Sequence, residues 1–193
     1  MAHVRVLAMV GLIFPFAAAA QQQAPLLPQP QANPLVRSLR VFSTHYGNWL
    51  VEAFDSIPAA KYRYKPTPAQ QTVGTIAEHL ENASYEQCAL VSSVKPPAAM
   101  GDSAIADSIK AMWPKDTLAA RLKASLVFCD SAMASLTDPM LSDSVPLPGG
   151  RKIPRVRILL ALVTDLAEHY SQLSSYMRLI GMLPPSALPR PSH

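Results

Sequence analysis

Clusters of basic residues are missing from this chain of 193 residues. The longest run of consecutive cations is Arg151-Lys152. The net charge is +4, and loss of the first twenty residues would remove Arg5 and no acid, leaving 16 Lys and Arg against 13 Asp and Glu, or +3. So weak a charge without a basic cluster argues against nucleic acid as a partner.

Long apolar runs are also scarce. The segment from Val6 to Phe16 follows a single cation, is interrupted by Pro15 and leads into four alanines. It is shorter than the ~18 residues of a membrane span, and its composition is typical of a secretory signal peptide. We therefore predict a signal peptide at 1–20, a periplasmic or secreted protein, and no stable membrane insertion after cleavage. An uncleaved anchor is the alternative.

Two further segments lack the composition of a folded domain. Residues 21–34 are rich in Gln, Pro and Ala and carry no charged side chain. Such a segment cannot bury enough apolar surface to order itself, so we predict a Gln/Pro-rich linker there. Residues 186–193, at the proline-rich end of the chain, are predicted to form a disordered tail.

The chain has only two cysteines, Cys88 and Cys129. Export would expose them to an oxidising compartment, where they could form a disulfide. As an alternative, both are unpaired and buried, and behave as small hydrophobic residues. Their spacing in the sequence does not give their separation in space, so both interpretations stay open.

Alternating strand patterns of useful length are absent, which argues against a β or α/β fold. Apolar residues instead recur at helical spacing in most of residues 35–185, a length that suits one domain. We therefore predict an all-α fold, a four-helix bundle with a short extra helix within 102–113 on the long crossover. The predicted long helices cover residues 35–57, 73–91, 116–136 and 154–181, with Asp116 as the predicted cap of the third.

The helical period also predicts which side chains face the core. In the second helix, Thr72 is the predicted cap, and the inward line runs through Ile76, His79 and Ala83. The last helix directs Asp165 and His169 inward among apolar residues. For the first helix, the predicted inward residues are Leu35, Leu39, Phe42, Tyr46, Trp49 and Ala53.

An Asp and a His on one apolar helix face need a chemical reason. Burying an ionised carboxylate costs several kcal/mol unless a partner compensates it, and a metal ion held by Asp165 and His169 would do so. Histidine is scarce, with five in the chain, so the third ligand has few candidates. His3 lies in the signal and His193 is the last residue. His79 is the preferred third ligand because its helix directs it inward, whereas His45 is expected to be packed or partly exposed.

Several short motifs follow one another along the predicted domain. They are Lys61-Tyr62-Arg63-Tyr64-Lys65-Pro66-Thr67-Pro68, Thr75-Ile76-Ala77-Glu78-His79-Leu80, Phe128-Cys129-Asp130, Glu168-His169-Tyr170, and Tyr176-Met177-Arg178-Leu179-Ile180-Gly181 with Pro184-Pro185-Ser186. In their order and spacing they resemble the DinB/YfiT-like metalloenzyme family over nearly the whole predicted domain. The resemblance implies a four-helix bundle in which His79 and His169 match the first and last metal-binding histidines. Asp165 stands where the family has its middle histidine.

Replacement of a histidine by Asp165 alters the implied site without removing it. Two histidines and one carboxylate bind Zn²⁺, Mn²⁺ or Fe²⁺ and leave coordination positions open. The added negative charge predicts zinc, manganese or iron in preference to nickel. In the alternative, Asp165 is hydrogen-bonded to a histidine and no metal binds. Glu78 and Glu168 each lie about 100° around their helix from the adjacent histidine, so we expect them to be solvated or outside the ligand set.

Two classes of function follow. The first is an exported metal-dependent hydrolase or transferase acting on an unknown small molecule, with a homodimer as a further hypothesis. Some members of the resembled family use cytoplasmic thiols as co-substrates, so hydrolysis fits an exported protein better. No Gly-x-Ser-x-Gly nucleophile motif is present. The second is a non-catalytic exported bundle that binds a small molecule or a partner, with a structural metal or none.

Overall fold

The computed structural model describes residues 32–97 and 104–189. The predicted signal peptide and most of the predicted linker lie outside the described residues. The described part is mainly helical, and the prediction of an all-α four-helix bundle is confirmed. Its helices are α1 (Pro34–Ser56), α2 (Val73–Ser92), the short α3 (Asp107–Lys110), α4 (Lys115–Met133) and α5 (Arg155–Leu179).

The four long helices pack in a ring. Helix α1 contacts α4 and α5, and helix α2 contacts the same two helices. The order around the bundle is therefore α1, α4, α2, α5, with the α2–α5 and α1–α4 pairs on opposite sides. Arg155 at the start of α5 donates to the carbonyl oxygen of Val91 near the end of α2. Helices α2 and α5 therefore run antiparallel.

The buried face of α1 differs from the predicted one. Leu35 and Phe42 are 59% and 52% exposed, so their assignment to the core was wrong. Because α1 packs against two neighbours, its buried face is centred between the lines of residues that approach α4 and α5. The predicted stripe followed one edge of that face. The buried residues of α1 are Val36, Ser43, Gly47, Leu50, Ala53 and Phe54.

Local signals at the helix ends are partly as predicted. The Thr72 side chain accepts a hydrogen bond from the backbone N–H of Thr75 at 3.1 Å, which caps α2 and stabilises it by about 1 kcal/mol. Helix α4 begins at Lys115 after Pro114, not behind a cap at Asp116. Gly181 has a φ of 80° just beyond α5, where glycine is favoured.

The two cysteines form a disulfide, which decides between the two interpretations of the sequence. Cys88 lies on α2 and Cys129 on α4, and their Cα atoms are 5.2 Å apart. Both residues are almost fully buried in the core. The bond therefore links two neighbouring helices from the inside of the bundle.

The connection between α4 and α5 contains strands that were not predicted. β1 (Ser144–Pro146) pairs antiparallel with β2 (Lys152–Pro154), in a register that places Val145 opposite Ile153. Strands of three residues are too short to show an alternating pattern. Val145 is buried, so the hairpin covers one end of the core.

The described chain continues past α5 in contact with the bundle. Pro185–Ala187 form a 3₁₀ turn, and the backbone N–H of Ser186 donates to the Tyr170 hydroxyl at 2.8 Å. Residues 186–189 therefore differ from the disordered tail predicted for them, while 190–193 lie outside the described residues. Within 32–97 and 104–189, no helix is long and apolar enough to cross a bilayer.

Candidate metal centre

The three predicted ligands lie together between α2 and α5. His79 is in the second turn of α2, and Asp165 and His169 occupy successive turns of α5. One potential ligand atom from each residue lies within 4.8 Å of the others. Nε2 of His79 is 3.4 Å from Oδ1 of Asp165, and the two imidazole ring centroids are 4.8 Å apart.

Hydrogen bonding orients the ring of His169. Its Nδ1 lies 2.9 Å from the main-chain carbonyl oxygen of Asp165, one turn earlier in α5. In the tautomer that donates this bond, Nε2 is the unprotonated nitrogen and is the ring atom able to bind a metal. Burial lowers the pKa of His169, but its hydrogen bonds with Asp165 and the charge of that carboxylate outweigh burial, so the pKa is raised.

Asp165 carries the negative charge of the cluster. Burial raises the pKa of this carboxyl, but hydrogen bonds with His169 and His79 outweigh it and hold the pKa well below its usual range. The carboxylate is therefore ionised at neutral pH. Its Oδ2 atom is buried and has no hydrogen-bond partner among the described residues. An ionised, buried oxygen without a partner beside two imidazoles fits a divalent cation.

The cluster is open to solvent on the side of His79. The side chain of His79 is 41% exposed, that of Asp165 is 21% exposed, and that of His169 is 10% exposed. The prediction that His79 points inward was therefore only partly right, because it lies at the edge of the buried face of α2. This position leaves room for a further ligand to approach from solvent.

The segment that connects α2 to α4 packs against the first two turns of α2, which include the turn that carries His79. A Cβ atom on Gly74 would lie 2.4 Å from the carbonyl oxygen of Ala111, so only glycine allows this approach. One turn later, Glu78 forms an ion pair with Lys110 at 3.0 Å, and the side chains are 5% and 7% exposed. Lys110 also pairs with the exposed Asp107 at 2.8 Å.

Glu78 was expected to be either solvated or outside the ligand set; it lies outside the cluster of three ligands, but it is buried and not solvated. Burial raises the pKa of Glu78, although its hydrogen bond to Lys110 and the charge of that lysine act in the other direction. Sequence reasoning missed Lys110 because α3 is too short to show a periodic pattern; the Asp107 to Lys110 spacing was the available signal. Glu168 is exposed, as expected.

His45 does not join the cluster of three. It is an exposed residue of α1, and its ring centroid lies 3.9 Å from that of Trp49. In turn, Trp49 stacks on Tyr170 at 4.9 Å. The metal cluster found in the described part of the chain contains His79, Asp165 and His169 only. A fourth protein ligand from His45 is therefore not supported by this arrangement.

Comparisons with known proteins agree with the fold. The chain is similar to a DinB-like protein from Bacillus cereus, with 17% identity, a TM-score of 0.61, and coverage of 79% of this chain and 97% of that one. A conserved protein from Enterococcus faecalis is similar at 16% identity and a TM-score of 0.61, covering 76% and 98% of the two chains. A mycothiol-dependent maleylpyruvate isomerase is similar at 12% identity and a TM-score of 0.55, covering 72% of this chain and 59% of that one.

At such low identities, structural similarity establishes the fold alone. By sequence, the chain matches no curated protein. Residues 47–173, more than half of the chain, match the family model described as DinB superfamily. That match includes all three residues of the candidate metal centre. The chain therefore belongs to the DinB superfamily.

Proposed function

We propose that this protein binds a divalent metal ion through His79, Asp165 and His169 and catalyses metal-assisted hydrolysis of a small molecule. The observation that carries the proposal is the convergence of three donor groups from two helices at a partly exposed place, where the buried Oδ2 of Asp165 has no partner among the described residues. Three protein ligands are typical of catalytic zinc sites, whereas structural sites are closed by four.

Each residue has a defined part in this proposal. Asp165 supplies the negative charge, and its main-chain carbonyl fixes the ring of His169. His79, from the other helix, holds the exposed side of the site. A divalent ion bound there would polarise a substrate oxygen and lower the pKa of coordinated water. The donor set of one carboxylate and two imidazoles favours zinc, manganese or iron over nickel.

Export to the periplasm or the medium is part of the proposal. The buried disulfide between Cys88 and Cys129 supports it, since such bonds persist in oxidising compartments and are rare in the cytosol. The isomerase of similar fold is described as mycothiol-dependent, and an exported protein would have poor access to a cytoplasmic thiol. Hydrolysis needs only water, which is why it is preferred to thiol-dependent transfer.

A non-catalytic bundle is the second candidate, and one observation favours it. Oδ1 of Asp165 lies 3.2 Å from Nδ1 of His169 and 3.4 Å from Nε2 of His79. A protonated histidine would pair with the carboxylate at these distances, so the cluster can be stabilised in part without a metal. In that case the protein would bind a small molecule or a partner by another surface.

Metal content distinguishes the two candidates. The purified protein would be measured by elemental mass spectrometry beside a His79→Ala/His169→Ala double variant and a His45→Ala control. We expect near-stoichiometric metal in the wild type and in the control, and loss of metal in the double variant. Absence of metal in the wild type, together with no zinc-induced rise in Tm, would contradict the proposal. Equal loss in the control would indicate a closed structural site.

A further inference from the structure

A second concave surface lies on the opposite side of the bundle from the metal centre. It is a groove of about 490 Å³ between α1 and α4, whereas the metal centre lies between α2 and α5. Its volume is within the range of about 300–1,000 Å³ found for small-molecule sites. Residues from both helices line it, and none of them belongs to the metal centre.

The middle of the groove is apolar and owes its depth to a glycine. A Cβ atom at Gly47 would lie 3.4 Å from the side chain of Leu126, so a larger side chain would fill the space between the helices. Val51 and Val127 continue the apolar lining. Val127 is 61% exposed, which leaves an apolar surface that a ligand would cover.

Polar side chains also line the groove. Ser43 is 4% exposed as a whole residue and belongs to the lining. Its hydroxyl offers a ligand one hydrogen-bond donor and an acceptor oxygen. The remaining polar, uncharged side chains of the lining are Thr44, Asn48 and Ser131.

The charges of the groove are paired at one end and unpaired at the other. At the first end, the lining residue Asp130 of α4 pairs with Arg40 of α1 at 2.8 Å. At the second end, Glu52 of α1 and Lys123 of α4 line the groove from its two sides. Neither forms an ion pair with the other or with any described residue. A carboxylate and an ammonium group thus line one cavity without an ion pair between them.

We propose that this groove binds a small zwitterion with an apolar body, the chemistry of a free aliphatic α-amino acid. The ligand's carboxylate would pair with Lys123 and its ammonium group with Glu52. Its aliphatic side chain would cover the apolar lining around Gly47 and Leu126. The proposal is independent of metal binding, because no residue is shared with the metal centre.

Calorimetric titration of the full chain with L-leucine tests the proposal. N-acetyl-leucine, which keeps only the carboxylate, and leucine methyl ester, which keeps only the ammonium group, are the matched ligands. We expect saturable binding of leucine with a dissociation constant of about 1 mM or tighter. Each single-charge analogue should bind about tenfold more weakly, because one charge-assisted contact is lost.

Exposed residues provide variants that should fold normally. Glu52→Gln and Lys123→Met should each weaken leucine binding about tenfold, while Glu86→Gln, an exposed carboxylate on α2, should leave it unchanged. The proposal is overturned if leucine does not saturate the wild type at about 10 mM. It is equally overturned if both charge variants bind like the wild type, or if the analogues bind as tightly as leucine.

Discussion

Nε2 of His79 lies 3.4 Å from Oδ1 of Asp165, although 86 positions separate the two residues in the chain. The contact exists because α2 and α5 run antiparallel and pack side by side. It joins the one carboxylate of the candidate metal centre to the ligand contributed by the other helix.

Asp165→His should change the metal preference of the site. The substitution replaces a negatively charged, hard oxygen ligand by a third imidazole, and imidazole suits nickel better than a carboxylate does. We expect the wild type to take up zinc, manganese or iron over nickel, and the variant to take up a larger share of nickel. Elemental analysis after loading with an equimolar metal mixture measures the change. Nickel in the wild type with an unchanged preference in the variant would contradict the assigned role of Asp165.

Stabilisation by zinc should grow with pH. The pKa of His169 in the metal-free protein is raised, so its interaction with Asp165 stabilises the fold fully below the ordinary histidine value of 6.5 and is lost as pH rises through the folded pKa. A metal requires the unprotonated ring and competes with that proton. The zinc-induced rise in Tm should therefore be larger at about pH 8 than at about pH 6.

The control for this pH dependence is His169→Gln, in which the zinc-induced rise in Tm should be small at both pH values. Thermal unfolding of metal-free and zinc-loaded protein provides the measurement. A zinc effect that is constant or declines as pH rises would show that His169 is not a ligand in competition with protons.

Reduction of the disulfide should destabilise the fold strongly. Cys88 and Cys129 close a loop with a sequence separation of 41, for which chain entropy predicts about 4 kcal/mol. Urea unfolding of the wild type and of Cys88→Ser/Cys129→Ser, each with and without reductant, measures the free energy of unfolding. The reductant should lower the midpoint of the wild type and leave that of the variant unchanged. An unaffected wild type would mean that the bond contributes little.

Two helical glycines should respond in opposite directions to alanine. In Gly74→Ala, the new Cβ would meet the Ala111 carbonyl oxygen at 2.4 Å, and the crossover must shift at a cost of about 1–3 kcal/mol. In Gly47→Ala, the nearest contact is an ordinary 3.4 Å to Leu126, and the better helix former should stabilise by about 0.5–1 kcal/mol. Thermal unfolding of both variants measures the change in stability. If both were stabilised or both destabilised, the distinction drawn from the two contacts would be wrong.

Loss of Lys110 should cost more than loss of its exposed partner. Lys110→Met leaves the Glu78 carboxylate buried without its cation, which typically destabilises by about 3–5 kcal/mol. Asp107→Asn removes the 72% exposed member of the cluster and should cost less than about 1 kcal/mol. Free energies of unfolding from urea titration compare the two. Equal costs would indicate that the pair with Glu78 contributes no more than a surface contact.

Much of the fold could be predicted because helical periodicity is a local property. The stretches around α2 and α5 were correctly bounded by a Thr72 cap and by Gly181, since caps act within one turn. The buried face of α1 was misplaced by about one residue because Leu35 and Phe42 are apolar yet face solvent. Periodicity identifies an apolar line, but the packing of two neighbouring helices decides where the face is centred.

The sequence by itself determined the helical class, because helical periodicity is visible in short stretches of chain. It also predicted His79, Asp165 and His169 as ligands, because Asp165 and His169 are four residues apart on one helix and the chain has few other histidines. Tertiary structure alone decided that α2 and α5 are neighbours and that Cys88 meets Cys129. It also decided that Glu78 is buried against Lys110 and that Glu52 and Lys123 face one groove. Such contacts join distant parts of the chain, and they depend on how helices pack, which no local pattern encodes.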